Sequence, residues 1–137
     1  MLHSRPLIFG VFIATAALSA GCAAPPAPPP AVGLAELLDR PAERALIEGQ
    51  RAYDEGQYAQ AEATLKRALD PAGPGLRSPR DRATAHKLMA FISCTSEREA
   101  ACDAAFRAAR AADPGFALSR SEAGHPLWGP VYQRALP

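Results

Sequence analysis

The chain has 137 residues, with 15 lysines and arginines against 14 aspartates and glutamates, so its formal net charge is only +1. Once a targeting segment is set aside, a chain of this length has room for one small domain. Because the positive charges form no basic block, the composition gives no electrostatic argument for nucleic-acid binding.

The first 21 residues have the layout of a secretory signal peptide. His3 and Arg5 form a short basic start, followed by an uncharged apolar run over residues 6–17 and small residues as far as Gly21. The apolar run is about a dozen residues long, shorter than the ~20 that a membrane-spanning helix needs. We therefore expect this segment to be removed. The alternative is a short buried helix with a core cysteine.

The small residues 19–21 lead into Cys22, and this sequence resembles the lipobox of bacterial lipoproteins, although Leu18 lies one place before the usual leucine position. In lipoproteins the cysteine thiol takes a diacylglyceryl group, the peptide is cut before it, and the new amine is acylated, for example with palmitate. The resemblance implies that residues 1–21 are a lipoprotein signal peptide and that Cys22 is lipidated. Since alanines rather than an aspartate follow Cys22, it also implies sorting to the outer membrane, with the domain facing the periplasm.

Residues 22–33 comprise this cysteine and a proline-rich linker, AAPPAPPPAVG. Proline fixes φ and has no amide hydrogen, so such a run neither packs a core nor forms a helix. Polyproline II extends by ~3.1 Å per residue, and about ten residues would therefore hold a domain ~30 Å from the lipid. Residues 34–137 are the expected folded domain.

Lipidation of Cys22 would leave an even pair among the three cysteines of the chain. In an oxidising compartment Cys94 and Cys102 can form a disulfide. The loop between them is short, so the bond would contribute on the order of 2 to 3 kcal/mol to stability. The alternative is a zinc site that adds His86 and His125, but the spacing fits no familiar zinc pattern.

Residues 43–71 have a helical period with turn signals at regular places, which predicts a hairpin of two helices. The pattern resembles the tetratricopeptide repeat, in which a glycine of one helix lies against an alanine of the next. The small and aromatic residues that carry the match are Gly49, Tyr53, Gly56, Tyr58, Ala61, Leu65 and Ala68. Gly56 is expected to end the first helix as its C′ residue, and Pro71 to stop the second. Chance similarity in an alanine-rich chain is the alternative.

A second copy of the pattern covers residues 81–116. The places held in the first copy by Ala61, Leu65, Ala68 and Pro71 are taken by Cys102, Phe106, Ala109 and Pro114. Ser78 before Pro79 marks the start of a helix, and Ser96 with Glu99 predicts a capping box for the next one. A disulfide across the turn would staple the two helices together.

The predicted hairpins are joined by residues 71–80, a linker too rich in glycine and proline for regular structure. Two repeats bury too little to be stable without caps. We expect caps from a short amphipathic helix over residues 33–39 and from the apolar residues of 116–136. The predicted fold is therefore an all-α domain of about two tetratricopeptide-like hairpins plus capping segments.

The C-terminal segment carries the single tryptophan. Ser119 with Glu122 predicts another capping box, whereas glycines and prolines over residues 124–130 forbid a long helix and place Trp128 on an irregular turn. Trp128 either seals the core or contacts a partner, since aromatic residues dominate interface hot spots. His125 is expected to be a hydrogen-bonding residue of this turn rather than a catalytic base.

The paired cysteines around a short turn, the phenylalanine and Asp-Pro that follow them, and the closing GHPLWGPV all lie within residues 87–132. Together with the lipobox, they resemble the TssQ family of lipoproteins associated with type VI secretion systems. This resemblance implies an accessory protein at the cell envelope, near the membrane complex of a contractile secretion apparatus.

The leading functional interpretation is a protein-binding module whose partner is an envelope secretion-complex protein. The residues expected to contact it are Leu46, Gln50, Tyr53, Lys87, Phe91 and Trp128. The alternative is a pilotin-like or structural lipoprotein of another envelope complex, which acts through its lipid. We expect no enzyme, cofactor, metal or small-molecule substrate, because the sequence has no phosphate loop, HExxH or GxSxG motif.

Overall fold

The computed structural model describes residues 40–136, which are helical and contain no strand in that range. The helices are α1 (Pro41–Asp54), α2 (Tyr58–Ala68), α3 (Pro79–Thr95), α4 (Glu99–Ala112), α5 (Arg120–Ala123) and α6 (Gly129–Ala135). The all-α prediction is confirmed for this range. The predicted signal peptide, Cys22, the proline-rich linker and the predicted helix over residues 33–39 lie outside the described residues.

Two helical hairpins form the body of the domain. Helix α1 packs along α2, α3 packs along α4, and the hairpins meet where α3 contacts both helices of the first one. Helix α6 packs against α4 and so covers the end of the second hairpin. The C-terminal segment therefore caps the domain, as its apolar residues predict.

The first hairpin turns at Gly56, which has a φ of 75°. The amide of Gly56 donates to the carbonyl of Tyr53 at 2.9 Å, and the amide of Gln57 donates to that of Ala52 at 2.8 Å. This pair of bonds is the Schellman motif, which needs a left-handed residue at C′. The predicted role of Gly56 as the helix-ending residue is confirmed.

The second hairpin turns in the same way, but without a glycine. Glu97 has a φ of 58°, and its amide donates to the carbonyl of Cys94 at 3.2 Å, while Arg98 donates to Ser93 at 2.9 Å. The predicted capping box of Ser96 with Glu99 is wrong. Ser96 is the C-cap of α3, and Arg98 is the N-cap of α4 without a side-chain bond, because only three residues separate the helices.

The second helices of the two hairpins bury equivalent residues. Ala61, Leu65 and Ala68 of α2 have 0% relative exposure, and so do the residues 41 positions later, Cys102, Phe106 and Ala109 of α4. Gly56 and Glu97 are separated by the same offset. The predicted alignment of the two copies thus corresponds to equal burial and equal turn geometry.

Gly49 allows α1 and α2 to approach closely, but its neighbour differs from the prediction. A Cβ added at Gly49 would lie 2.8 Å from Cγ and 2.9 Å from Cδ2 of Leu65. The glycine therefore faces a leucine side chain rather than an alanine, because Leu65 fills the space between the helices. The prediction that a small residue is needed there holds, but its stated partner does not.

The linker between the hairpins is irregular, as predicted, and it is fixed to the core. Leu76 is 4% exposed, and its carbonyl accepts a bond of 2.9 Å from Arg82. Ser78 is the N-cap of α3, and its hydroxyl accepts from the amide of Asp81 at 3.2 Å, with Pro79 in the first helical position. The predicted start of α3 is therefore confirmed.

Candidate functional site

A row of contacting rings crosses the domain from the first hairpin to the C-terminal segment. Its members are Tyr58, Tyr53, Phe91, Trp128 and His125, with successive centroid distances of 5.5, 6.3, 4.3 and 3.4 Å. We call this set the aromatic row. Because it contacts α1, α2, α3 and the turn before α6, it fixes how these elements lie against one another.

Trp128 is an interior member of the aromatic row. Its relative exposure is 9%, and its indole Nε1 donates to the carbonyl of Glu122 at 2.8 Å. His125 stacks on it, and its Nδ1 accepts from the amide of Leu127 at 3.2 Å. The burial of Trp128 agrees with the interpretation that it seals the core. His125 forms a hydrogen bond within the turn, as predicted.

The C-terminal segment also makes an ion pair with α3. Lys87 Nζ lies 2.8 Å from Glu122 Oε1 and 5.7 Å from the centroid of the Phe91 ring. Burial acts to raise the pKa of Glu122, but hydrogen bonds from Lys87 and Ser119 outweigh it and lower the pKa. Glu122 also completes the predicted capping box with Ser119. The second hairpin's face is thus already covered by residues of its own chain.

The six residues predicted to bind a partner are divided between the interior and the surface. Three are buried: Leu46, Phe91 and Trp128. Tyr53 and Lys87 are half-buried, and Gln50 is exposed. Since α1 and α3 are adjacent, the structure does bring most of them to one side of the domain. Direct contact with a partner stays a prediction for the accessible ones.

One face of α1 carries the half-buried Glu43 and the exposed Ile47, Gln50 and Asp54. Their spacing of 4, 3 and 4 residues keeps them in a single line along a helix. Ile47 is 56% exposed. We call this line the α1 stripe. Of these four residues the sequence predicts only Gln50 as a partner contact, although Ile47 and Asp54 lie at helical spacing from it and are also exposed.

An open surface cavity of about 470 Å³ lies along the α1 stripe, lined by Ile47, Gln50, Arg51, Asp54 and Glu55. Arg51 Nε donates to Glu55 at 2.8 Å, so these two charges compensate each other. The carboxylate of Asp54 makes no hydrogen bond or ion pair within residues 40–136. The cavity therefore combines an apolar side chain, an amide and an uncompensated carboxylate.

Tyr53 joins the α1 stripe to the aromatic row. Burial raises the pKa of its hydroxyl, and the neighbouring Tyr58, Asp54 and Glu122 raise it further. The carboxylates of α1 and of the C-terminal segment both act on this one ring. Both carboxylates therefore disfavour ionisation of the Tyr53 hydroxyl.

The structure joins Cys94 and Cys102 in a disulfide, with a Cα–Cα distance of 5.2 Å. Their sulfurs are bonded to each other, so neither serves as the thiolate ligand that a zinc site with His86 and His125 would need. Burial lowers the pKa of His86, and the nearby Arg82 adds to this effect. No group of three or more His, Cys, Asp or Glu residues in the described range is placed to hold a metal ion.

Within residues 40–136 no helix has the length and apolar character needed to cross a membrane. Comparison of the chain with protein-family models, curated proteins and solved structures finds no match in any of the three.

Proposed function

We propose that the chain is an outer-membrane lipoprotein, anchored through Cys22, that acts as a protein-binding accessory of a type VI secretion apparatus. Its contact surface is the exposed side of a small tetratricopeptide-like array. In this proposal it binds a protein and catalyses no reaction. The observation that carries it is the uncovered α1 stripe beside a second hairpin whose own face is already occupied.

The similarity of the two hairpins, in their buried positions and in their turns, supports a repeat-type binding module. The hairpins share an offset of 41 residues in their buried positions and turns. Helical repeats stack such units and present an extended surface made by equivalent helices. The equivalent helices here are α1 and α3, the first helix of each hairpin. Because the C-terminal segment covers α3, we assign the binding surface to α1.

The disulfide supports a location in the cell envelope. Disulfides persist in oxidising compartments such as the bacterial periplasm and are rare in the cytosol. The signal-like residues 1–21 and the lipobox-like sequence before Cys22 point to the same compartment. The link to type VI secretion rests on the resemblance of residues 87–132 to the TssQ family.

A pilotin-like or structural lipoprotein is the second candidate. It is favoured by the burial of Leu46, Phe91 and Trp128, which the chain uses for its own core. In that case the lipid would carry a bound envelope component to its membrane. The two candidates predict different behaviour when the lipid is removed.

Replacing Cys22 with alanine behind a signal peptide of the ordinary cleaved type would keep export and remove the lipid. A binding module should still bind its partner in extract, whereas a pilotin should lose its activity completely. Chemical crosslinking in intact cells of the native host, with secretion genes induced, should recover a protein of the apparatus. Recovery of none would remove support for the type VI assignment.

Intact-mass measurement on protein from native membranes would test the anchor directly. We expect loss of residues 1–21, acyl chains on Cys22 and a mass two hydrogens below that of the form with Cys94 and Cys102 reduced. A soluble, unacylated protein that retains its first 21 residues would contradict the proposal.

A further inference from the structure

The face that the C-terminal segment covers on α3 continues onto α1, where no described residue covers it. Phe91 on α3 is stacked against Trp128, and it also contacts Tyr53 of α1 at a centroid distance of 6.3 Å. Tyr53 in turn contacts Tyr58, which is 44% exposed. The row of intramolecular ring contacts therefore reaches α1 at Tyr53, three residues from Gln50 of the α1 stripe.

The charges of the α1 stripe indicate what would fit there. Glu43 and Asp54 lie at its two ends, 11 residues and thus ~16 Å apart along the helix. The side chain of neither residue makes an ion pair or hydrogen bond within the described residues. Between them lie the exposed Ile47 and the amide of Gln50. The order acidic, apolar, amide, acidic is complementary to an apolar residue with a basic residue on each side.

On α3, where the C-terminal segment covers the face, the contact also combines an ion pair with an apolar contact, but the helix carries the positive charge. There the protein supplies a cation and a ring, Lys87 and Phe91, and the covering segment supplies a carboxylate and a ring, Glu122 and Trp128. In such an interface a partly buried ion pair contributes specificity, and the apolar contact contributes buried surface area. On α1 the protein supplies the carboxylates, so the complementary segment must supply the cations.

We propose that the α1 stripe docks a helical segment of a partner protein in which an apolar residue is flanked by lysine or arginine residues. The apolar side chain packs on Ile47 and over the cavity beside Gln50, and the basic residues pair with Glu43 and Asp54. Helix-in-groove contacts of this kind use anchors three, four and seven residues apart. This inference rests on the proposed function, because it names the chemistry of the partner that the accessory protein would hold.

A photo-crosslinking amino acid at Gln50 of the full chain, expressed in its native host, tests the inference. Mass spectrometry of the crosslinked product should identify a partner segment with basic residues on both sides of an apolar one. Asp54→Lys should reduce the crosslinked product at least tenfold. The matched control is Glu48→Lys, which changes the same charge on the flank of α1 that faces Arg67, and it should leave the product unchanged.

A crosslinked segment that is acidic or uncharged would overturn the inference, and so would a crosslink to residues 1–39 of the same chain or to a second copy of it. Equal losses with Asp54→Lys and Glu48→Lys would also overturn it. A second probe at the exposed Leu127 separates this inference from the proposed function. If Leu127 captures an apparatus protein and Gln50 captures none, only the inference fails, whereas failure at both positions contradicts both.

Discussion

The indole of Trp128 stacks on the phenyl ring of Phe91 with a centroid distance of 4.3 Å and an angle of 25° between the planes. The two residues are separated by 37 positions, and their contact holds the irregular C-terminal segment against α3. On the opposite side of this network, Phe106 contacts Tyr132 at 5.3 Å, and Tyr132 accepts a bond from the Leu118 amide. The cap is therefore part of the core rather than an appendage.

Trp128→Ala should lower the free energy of unfolding by about 3 to 5 kcal/mol, because it removes a buried aromatic side chain and leaves a cavity. It also leaves the Glu122 carbonyl without its indole donor. Urea unfolding followed by circular dichroism would measure the loss. Leu127→Ala, at a neighbouring side chain that is 55% exposed, should change stability by less than about 0.5 kcal/mol. Equal effects would show that Trp128 is not buried.

The two hairpin turns offer a matched pair of substitutions. Glu97 has a φ of 58° without being glycine, a conformation that costs a residue with a Cβ about 1 to 2 kcal/mol. Glu97→Gly should therefore stabilise the protein by about 1 kcal/mol, while Gly56→Ala should destabilise it by a similar amount. Thermal unfolding of the two variants would give shifts of opposite sign. Shifts of the same sign would contradict the left-handed geometry of one turn.

The disulfide should stabilise the second hairpin by about 2.5 kcal/mol, since it restricts the unfolded chain over a short loop. Replacing Cys94 and Cys102 together with alanine avoids placing a hydroxyl at the fully buried Cys102 position. Urea unfolding with and without a phosphine reductant would measure the effect. The reductant should lower the stability of the natural protein to about that of the double variant and leave the double variant unchanged.

The parts of this fold that could be predicted are those with a local signal in the sequence. The buried positions Ala61, Leu65 and Ala68 follow helical spacing, and Gly56 is a turn residue that the sequence itself displays. The turn at Glu97 gave a misleading local signal, since Ser96 with Glu99 has the spacing of a capping box. Only three residues join α3 to α4. Ser96 is the C-cap of α3, so it does not serve as the N-cap of α4.

The candidate site was harder to predict for a different reason. The residues that cover α3 come from a segment with glycine and proline at 124–130, which has no periodicity to show which face it packs on. The sequence therefore predicts Phe91 and Trp128 as partner contacts, whereas in the structure the two rings contact each other. The spacing of buried residues does not identify Ile47 and Asp54, because these two side chains of the α1 stripe are exposed.

Gly49→Ala should destabilise the domain despite the higher helix propensity of alanine. The new Cβ would lie 2.8 Å from Cγ of Leu65, a completely buried side chain, so that the leucine or the helix must shift. Overpacking costs about 1 to 3 kcal/mol, whereas the propensity gain is at most about 1 kcal/mol, so a net loss of about 1 kcal/mol is expected. Gln50→Ala, on the exposed face of the same helix, should be nearly neutral in the same urea titration.

An ion pair between the hairpins should make stability depend on acid pH. Glu62 of α2 accepts two bonds from Arg98, of 3.0 and 2.7 Å, and Lys66 lies 2.7 Å away. The hydrogen bonds from Arg98 and then Lys66 lower the pKa of Glu62 from 4.5 to about 2. The folded state thus holds the proton less tightly than the unfolded state. The stabilisation is present above about pH 4.5 and is lost as the pH falls towards 2.

Glu62→Gln should therefore lower the free energy of unfolding at pH 7 by about 1 kcal/mol, the upper range for pairs that solvent and salt partly screen. The difference between this variant and the natural protein should shrink as the pH is lowered from 4.5 towards 2. Urea unfolding at a series of pH values measures it. Glu48→Gln is the control, because its nearest cation, Arg67, is 3.9 Å away. A difference for Glu62→Gln that stays constant over this pH range would show that the pair with Arg98 does not form, since only an ionised Glu62 can be held by two guanidinium bonds.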